Sequence, residues 1–194
     1  PSMDDVKKFI RALDTDKFTD RRMRMMFLLA LDTGLRRGEL CSLRIDDLDP
    51  EGMTITVRPE TSKVKKGRIV PISPQVAREL KRFITLCPPE WKCSWMFPTE
   101  SGEKLTPSNF GYQIRRASKR TGKHMKIHGL RHLCATEFLR QTGNIALTAQ
   151  LLGHSSIGTT ARFYEHLDLD DLRQAHGRAA VVSQVMGKRK VRKI

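Results

Sequence analysis

The chain contains 194 residues, a length that suits one domain with a substantial buried core. It carries 36 Lys and Arg against 21 Asp and Glu, so its formal net charge at pH 7 is +15. The longest uninterrupted apolar run, residues 25–31, is far too short to span a bilayer. Charged side chains interrupt residues 4–8, so we expect no signal peptide there.

The excess positive charge predicts an anionic partner, with nucleic acid favoured over an acidic membrane surface. Residues 188–193 hold five basic groups and no acid, and we interpret residues 187–194 as a basic tail. Most of the excess charge nevertheless lies in the rest of the chain. The chain starts at Pro1 rather than at Met, which predicts a fragment of a longer protein.

The cysteines predict neither a zinc site nor a disulfide framework, because no two of them form a C-x-x-C pair. The sequence has four: Cys41, Cys87, Cys93 and Cys134. We interpret them as reduced, mostly packed thiols of a cytosolic protein.

Caps and hydrophobic periodicity predict a mostly helical chain. In chain order, helices are predicted over residues 2–13, 19–34, 37–43, 73–86, 106–120, 129–141, 145–152 and 169–186. Alternating residues over 53–57 and 68–72 predict two antiparallel strands with a lysine-rich connection, and residues 87–105 are predicted to be irregular. The predicted fold class is therefore α+β, mostly α-helical with a small antiparallel β-sheet at one edge.

Three short motifs carry side chains suited to phosphate chemistry. Thr-Gly-Leu-Arg ends a predicted helix at Arg36, although an arginine there can simply complement the helix dipole. His-Gly-Leu-Arg-His places His128 and Arg131 three residues apart, a spacing that lets both reach one anion. Leu-Gly-His follows at His154, with Tyr164 ten residues later.

The same region also raises the alternative hypothesis of a metal site. His124, His128 and His132 are spaced four apart, as ligands on a helix would be. However, Gly122 and Gly129 are expected to interrupt the helix, and no carboxylate joins the three histidines. We therefore predict no metal and no cofactor.

The ordered set of motifs resembles the catalytic domain of the tyrosine recombinases, the phage-type integrase family. The matching segments are Thr-Gly-Leu-Arg at 33–36, His-Gly-Leu-Arg-His at 128–132, Leu-Gly-His at 152–154 and Thr-Thr-x-x-aromatic from 159. The resemblance spans about residues 3–176 and implies the fold of the DNA breaking-rejoining enzymes. It places a catalytic domain at residues 1–186, with the amino-terminal core-binding domain absent from this chain.

The resemblance also implies roles for individual residues. Arg36 and Arg131 correspond to the two catalytic arginines, and His128 and His154 to the family's two further active-site positions. A lysine in the β-hairpin lies eight residues before a proline in the family, which selects Lys63 by its spacing from Pro71. The implied reaction is DNA cleavage and rejoining through a 3′-phosphotyrosyl intermediate, without metal or ATP.

The nucleophile departs from the family pattern. The usual spacing places it nine residues after His154, at Phe163, whereas the nearby phenol is Tyr164. Either Tyr164 serves with a one-residue shift, or phenylalanine at position 163 has replaced the nucleophile. In the second case the chain is a disarmed DNA-binding domain of the same fold.

Other implications concern partners and alternatives. The implied partners are double-stranded DNA and further protomers of the same protein in a synaptic dimer or tetramer. Residues 168–186 are implied to form a helix that can dock on a neighbouring protomer, and no membrane is implied as a partner. The implied setting is the cytoplasm of a bacterial or archaeal host. A type IB topoisomerase-like enzyme is a further alternative, against which the Leu-Gly-His and Thr-Thr motifs argue.

Overall fold

The computed structural model describes residues 1–61, 67–91, 93–154 and 157–161. Its helices are α1 Met3–Arg11, α2 Phe18–Thr33, α3 Arg37–Ser42, α4 Pro74–Thr85, α5 Pro107–Thr121, α6 Ile127–Thr142, α7 Ile145–Leu152 and α8 Ile157–Ala161. Its strands are β1 Leu48–Asp49, β2 Thr54–Val57 and β3 Arg68–Pro71. The predicted fold class, helical with one small antiparallel sheet, is confirmed.

Polar caps set the ends of several helices where the sequence predicts them. The Ser2, Ser73 and Thr106 side chains accept hydrogen bonds from backbone N–H groups in the first turns of α1, α4 and α5. Proline follows directly at the first position of α4 and of α5, where its missing N–H costs no helical hydrogen bond.

Helix α2 forms the centre of the core, packed between α6 and α4. Its residues Met23, Met26, Phe27 and Ala30 recur at helical spacing and are almost completely buried. The rings of Phe9 and Phe27 meet edge to face with centroids 5.0 Å apart, which fastens α1 to α2.

Gly34 ends α2 and allows α7 to come close. Its φ of 65° is left-handed, a conformation that residues with a Cβ adopt at a cost. A Cβ at this position would lie 2.5 Å from the Leu152 Cδ2 atom. The glycine therefore brings the carboxyl ends of α2 and α7 together.

The sheet has strand order β1-β2-β3, and all neighbours are antiparallel. Ile55 pairs with Val70, and both are buried, whereas Ile69 on the opposite face is 70% exposed. Val57 pairs with Arg68, so the hairpin connection between β2 and β3 begins beside the core. Lys63 in that connection lies outside the described residues.

The structure corrects the sequence prediction in three places. The two-residue strand β1 and the five-residue helix α8 were not predicted, because segments this short carry too few residues for a periodic pattern. Gly129 lies inside α6 and does not interrupt it; the break falls earlier, at Gly122, with φ 66°.

No helix among the described residues is long and apolar enough to cross a membrane.

We expect Phe27→Ala to lower the free energy of unfolding by about 3–5 kcal/mol, because it leaves a cavity at the α1–α2 contact. Urea unfolding followed by circular dichroism measures this loss. Leu86→Ala, at a side chain that is 54% exposed, is the control and should change stability by less than about 0.5 kcal/mol. Equal unfolding midpoints for the two variants would contradict the assignment of α2 as the centre of the core.

Candidate active site

Arg36 lies where the chain passes from α2 into α3, as the N-cap residue of α3. Its backbone N–H donates to Oε2 of Glu39 at 2.8 Å, and its Nη1 donates to Oε1 of the same carboxylate at 3.0 Å. Its Nη2 lies 3.4 Å from the carbonyl oxygen of Gly153. The side chain of this arginine is therefore held by a carboxylate of α3 and by a carbonyl at the carboxyl end of α7.

Arg131 is buried within α6, with 6% of its surface exposed. Its Nη1 donates to the carbonyl of Gly34, and its Nη2 donates to the carbonyl of Leu152 at 2.8 Å. These carbonyls lie at the carboxyl ends of α2 and α7, where helices leave acceptors unpaired and carry partial negative charge. Burial lowers the pKa of Arg131 to about 10, with a smaller contribution from Arg36, so the guanidinium stays charged at neutral pH.

His154 follows the glycine that ends α7. Gly153 has φ 65°, and the backbone N–H of His154 donates back to Ala149 at 2.9 Å. The ring Nδ1 lies 2.8 Å from the hydroxyl oxygen of Thr160, which is completely buried. Burial, then the charges of Arg131, Arg36 and Arg68, lower the pKa of His154 to about 4, so the ring is neutral at neutral pH.

Glu39 and Arg68 belong to the same site, although the sequence analysis did not select them. Arg68 donates from Nη1 and Nη2 to the two Glu39 oxygens at 3.0 and 2.9 Å, a bidentate pair. Burial of Glu39 acts to raise its pKa, but the hydrogen bonds and charges of Arg68 and Arg36 outweigh it and lower that pKa. The sequence signal for Glu39 is its position three residues after Arg36, a spacing at which oppositely charged side chains meet; Arg68, at the start of β3, has no comparable local signal.

The Arg68 side chain also lies against Gly153. A Cβ on Gly153 would come within 2.9 Å of the Cδ, Nε and Cζ atoms of Arg68. Glycine at this position therefore admits the guanidinium of β3 to the end of α7. Through Glu39 and Gly153, Arg68 connects the hairpin to Arg36 and to the residue before His154.

Four of the predicted site residues line one cavity of about 660 Å³, which we call the central cleft. They are Arg36, His128, Arg131 and His154. Its other walls come from the start of α3, from α5, from the start of α6 and the segment leading into it, and from α8; they comprise Arg37, Gly111, Ile114, Arg115, His124, Met125, Lys126, Ile127 and Thr159. Phe163 and Tyr164, like Lys63, lie outside the described residues.

The charged groups of the central cleft suit an anion. Arg36 and Arg131 line the central cleft, and Arg68 is joined to Arg36 through Glu39, the carboxylate that pairs with both. The site thus holds three guanidinium groups and one such carboxylate. One guanidinium group can bind two phosphate oxygens at once, and it is positively charged at all physiological pH values. Within the described ranges, no group of three His, Cys, Asp or Glu side chains could hold a metal ion, and the four cysteines are free thiols.

Comparison with known proteins identifies the family. Residues 2–170 match the phage integrase family, so the chain belongs to that family, as the motifs predicted. Tyrosine recombinase XerA of Thermococcus kodakarensis is 32% identical over 170 residues, which cover 87% of this chain and 59% of the relative. Tyrosine recombinase XerC of Thermodesulfovibrio yellowstonii is 30% identical over 192 residues, covering 94% of this chain and 62% of the relative.

Solved structures agree with this assignment. A crystal structure of XerA recombinase superposes with a TM-score of 0.74 and 31% identity, covering 92% of this chain and 64% of the other. The XerH site-specific recombinase, bound to its palindromic difH substrate after cleavage, superposes with a TM-score of 0.69 and 26% identity, covering 90% and 51%. The chain thus spans about three fifths of the length of the curated recombinases it matches.

We expect Arg68→Met to raise the pKa of His154 from about 4 toward its ordinary value of 6.5, because one of three nearby cations is removed. NMR titration of the ring signals between pH 3 and 8 measures the pKa directly. The native ring binds its proton more weakly than the unfolded chain does. Its contribution to stability is therefore complete above pH 6.5 and is lost as the pH falls toward 4.

Arg82→Met is the matched control for this titration, because Arg82 is an exposed arginine of α4 outside the central cleft. It should leave the His154 pKa unchanged. A His154 pKa that stays near 4 in Arg68→Met would show that Arg68 does not contribute to the field at the histidine.

Proposed function

We propose that this chain is the catalytic domain, residues 1–186, of a site-specific DNA recombinase that cuts and rejoins DNA strands through a 3′-phosphotyrosyl intermediate. The observation that carries the proposal is the convergence of Arg36, His128, Arg131 and His154 on the central cleft, from three segments spread over 118 positions of the chain. The named relatives are tyrosine recombinases, which supports the same reaction class.

The two arginines supply the charge that the reaction needs. Attack of a tyrosine oxygen on a phosphodiester builds negative charge on the non-bridging oxygens, which guanidinium groups stabilise bidentately. Arg131 is held in advance by two carbonyls, so little reorganisation is needed when that charge develops. A guanidinium has five N–H donors, and these two contacts leave others available for phosphate oxygens.

The histidines act by hydrogen bonding and proton transfer. When the Thr160 hydroxyl donates to Nδ1 of His154, the proton of the neutral ring lies on Nε2, from which it can donate to a phosphate oxygen. His128 lies exposed at the wall of the central cleft and is assigned to carry the proton of the tyrosine. Lys63, by its position in the hairpin, is assigned to protonate the leaving 5′-oxygen.

The partners follow from the reaction. The substrate is double-stranded DNA, consistent with the net charge of +15. Strand exchange requires further protomers of the same protein in a synaptic dimer or tetramer, and residues 168–186 are assigned as a segment that docks in trans. The proposed setting is the cytoplasm of a bacterial or archaeal host. Neither metal nor ATP is required, because the arginines supply the charge and the covalent link conserves the phosphodiester energy.

The nucleophile can be identified with a library of nicked suicide duplexes randomised around the cleavage position. If Tyr164 is the nucleophile, the chain forms a covalent adduct with DNA in a denaturing gel, Tyr164→Phe abolishes it, and Phe163→Tyr adds nothing. If position 163 is the reactive one, only Phe163→Tyr forms the adduct. Adjacent side chains point in different directions, about 100° apart in a helix, so both cannot reach one phosphate. Peptide mapping of the adduct identifies the residue.

If neither the given sequence nor its Phe163→Tyr variant forms an adduct, the phosphotyrosyl proposal is contradicted. A chain that reacts only as Phe163→Tyr would be a disarmed domain that binds DNA without cutting it.

We expect Arg36→Lys to slow adduct formation by about 10³–10⁵-fold, by analogy with other arginines that stabilise phosphoryl-transfer transition states. Lysine keeps the charge but loses the bidentate geometry. Duplex affinity should change by less than about 10-fold, since many other basic residues contact DNA. The measurement uses the best suicide duplex from the library, in whichever form of the chain is reactive, and Arg82→Lys is the control. Equal rates for the two variants would remove Arg36 from the mechanism.

A further inference from the structure

A glycine lies in the interior of helix α5, where it is unfavourable relative to alanine. Gly111 is buried, and a Cβ on it would lie 2.7 Å from Nη1 of Arg37 and 3.8 Å from Nη1 of Arg115. Both arginines belong to the wall of the central cleft. The missing Cβ therefore leaves room for a guanidinium to rest against the helix, and it places two guanidinium groups around one point of α5.

The consecutive residues Arg36 and Arg37 extend toward different elements around the central cleft. Arg36 turns toward Glu39 and the carbonyl of Gly153, at the end of α7. Arg37 turns toward Gly111 on α5. Two adjacent residues thus supply one guanidinium to the end of α7 and one to α5. The guanidinium of Arg36 is already assigned to the scissile phosphate.

The charges of Arg37 and Arg115 are not neutralised by any acid among the residues that the structure describes. Arg36 and Arg68 share Glu39, and Arg120 pairs with Asp20, whereas no ion pair is formed there by Arg37 or Arg115. Both side chains are exposed. Like charges placed side by side repel, so this arrangement gains most when an anion binds between them.

We propose that Arg37 and Arg115, seated at Gly111, form a second anion subsite that binds a non-scissile phosphate of the DNA backbone. The subsite rests on the proposed function and deepens it. Phosphate contacts set the register of a protein on DNA without reading sequence. A contact on the α5 side would hold the strand so that the next phosphates face Arg36 and Arg131.

The decisive variant is Gly111→Ala, because the subsite and the helix respond to it in opposite directions. The added methyl group takes the space of the Arg37 guanidinium, which can move away because it is the end of a flexible side chain. Thermal stability should stay equal or rise, since alanine is the better helix former. Affinity for a 20-base-pair duplex should nevertheless fall by roughly 10-fold, as expected for the loss of one charge-assisted contact.

Charge-removing variants test the arginines themselves. Arg37→Ala and Arg115→Ala should each weaken duplex binding by roughly 10-fold and make the slope of log K against log[salt] about one unit shallower. The double variant should lose about one unit of slope rather than two, because both side chains bind the same phosphate. Arg82→Ala, at an exposed arginine of α4 outside the central cleft, is the control and should leave both quantities unchanged.

The outcomes separate this inference from the proposed function, because duplex binding is measured without cleavage. The subsite is supported if Gly111→Ala weakens binding in the wild-type background and has no further effect in Arg37→Ala. It is overturned if Gly111→Ala binds like the wild type, or weakens binding equally in Arg37→Ala. It is also overturned if Arg37→Ala and Arg115→Ala bind like Arg82→Ala. Wild-type binding with a salt slope shallower than about −2 would instead contradict DNA as the main partner.

Discussion

The guanidinium of Arg131 joins the ends of two helices that are distant in the chain. Its donors bind the carbonyls of Gly34 and Leu152, acceptors at the carboxyl ends of α2 and α7 that no further helical turn satisfies. A buried cation is costly unless it is hydrogen-bonded, and carbonyls at helix ends meet that requirement without neutralising its charge. The same contacts therefore stabilise the packing of three helices and keep a positive charge at the bottom of the central cleft.

A second junction attaches the sheet to this helical frame. Glu39 is only 1% exposed and binds Arg36 from its own helix and Arg68 from β3. Removing one partner of such a buried pair would leave an uncompensated charge, so the pair strongly constrains where β3 can lie.

The central cleft has more cationic than anionic groups, and this excess is maintained by packing. The Arg68 side chain lies against Gly153. Burial, followed by the charges of Arg131, Arg36 and Arg68, lowers the pKa of His154. Close like charges destabilise the ligand-free protein, whereas a phosphodiester placed among them relieves the repulsion. Gly111 and Arg37 extend the same pattern to α5, where a glycine that weakens the helix makes room for another cation. Both the close cations of the central cleft and Gly111 in α5 lower the stability of the ligand-free protein, and a bound anion would offset that loss.

Much of the fold could be predicted from the sequence because its determinants are local. Ser2, Thr106-Pro107 and Gly34 mark helix ends through hydrogen bonds or backbone conformations set within a few residues. The order of the motifs likewise predicted the family and selected four of the residues that line the central cleft. Three features could not be predicted: the burial of Arg131, the Arg68–Glu39 pair and the contact of Arg37 with Gly111. They join residues between 21 and 97 positions apart, and such distances enter no local pattern. The sequence by itself therefore determined which side chains are available for phosphate chemistry, and the tertiary structure decided which of them meet, because only packing brings distant helix ends together.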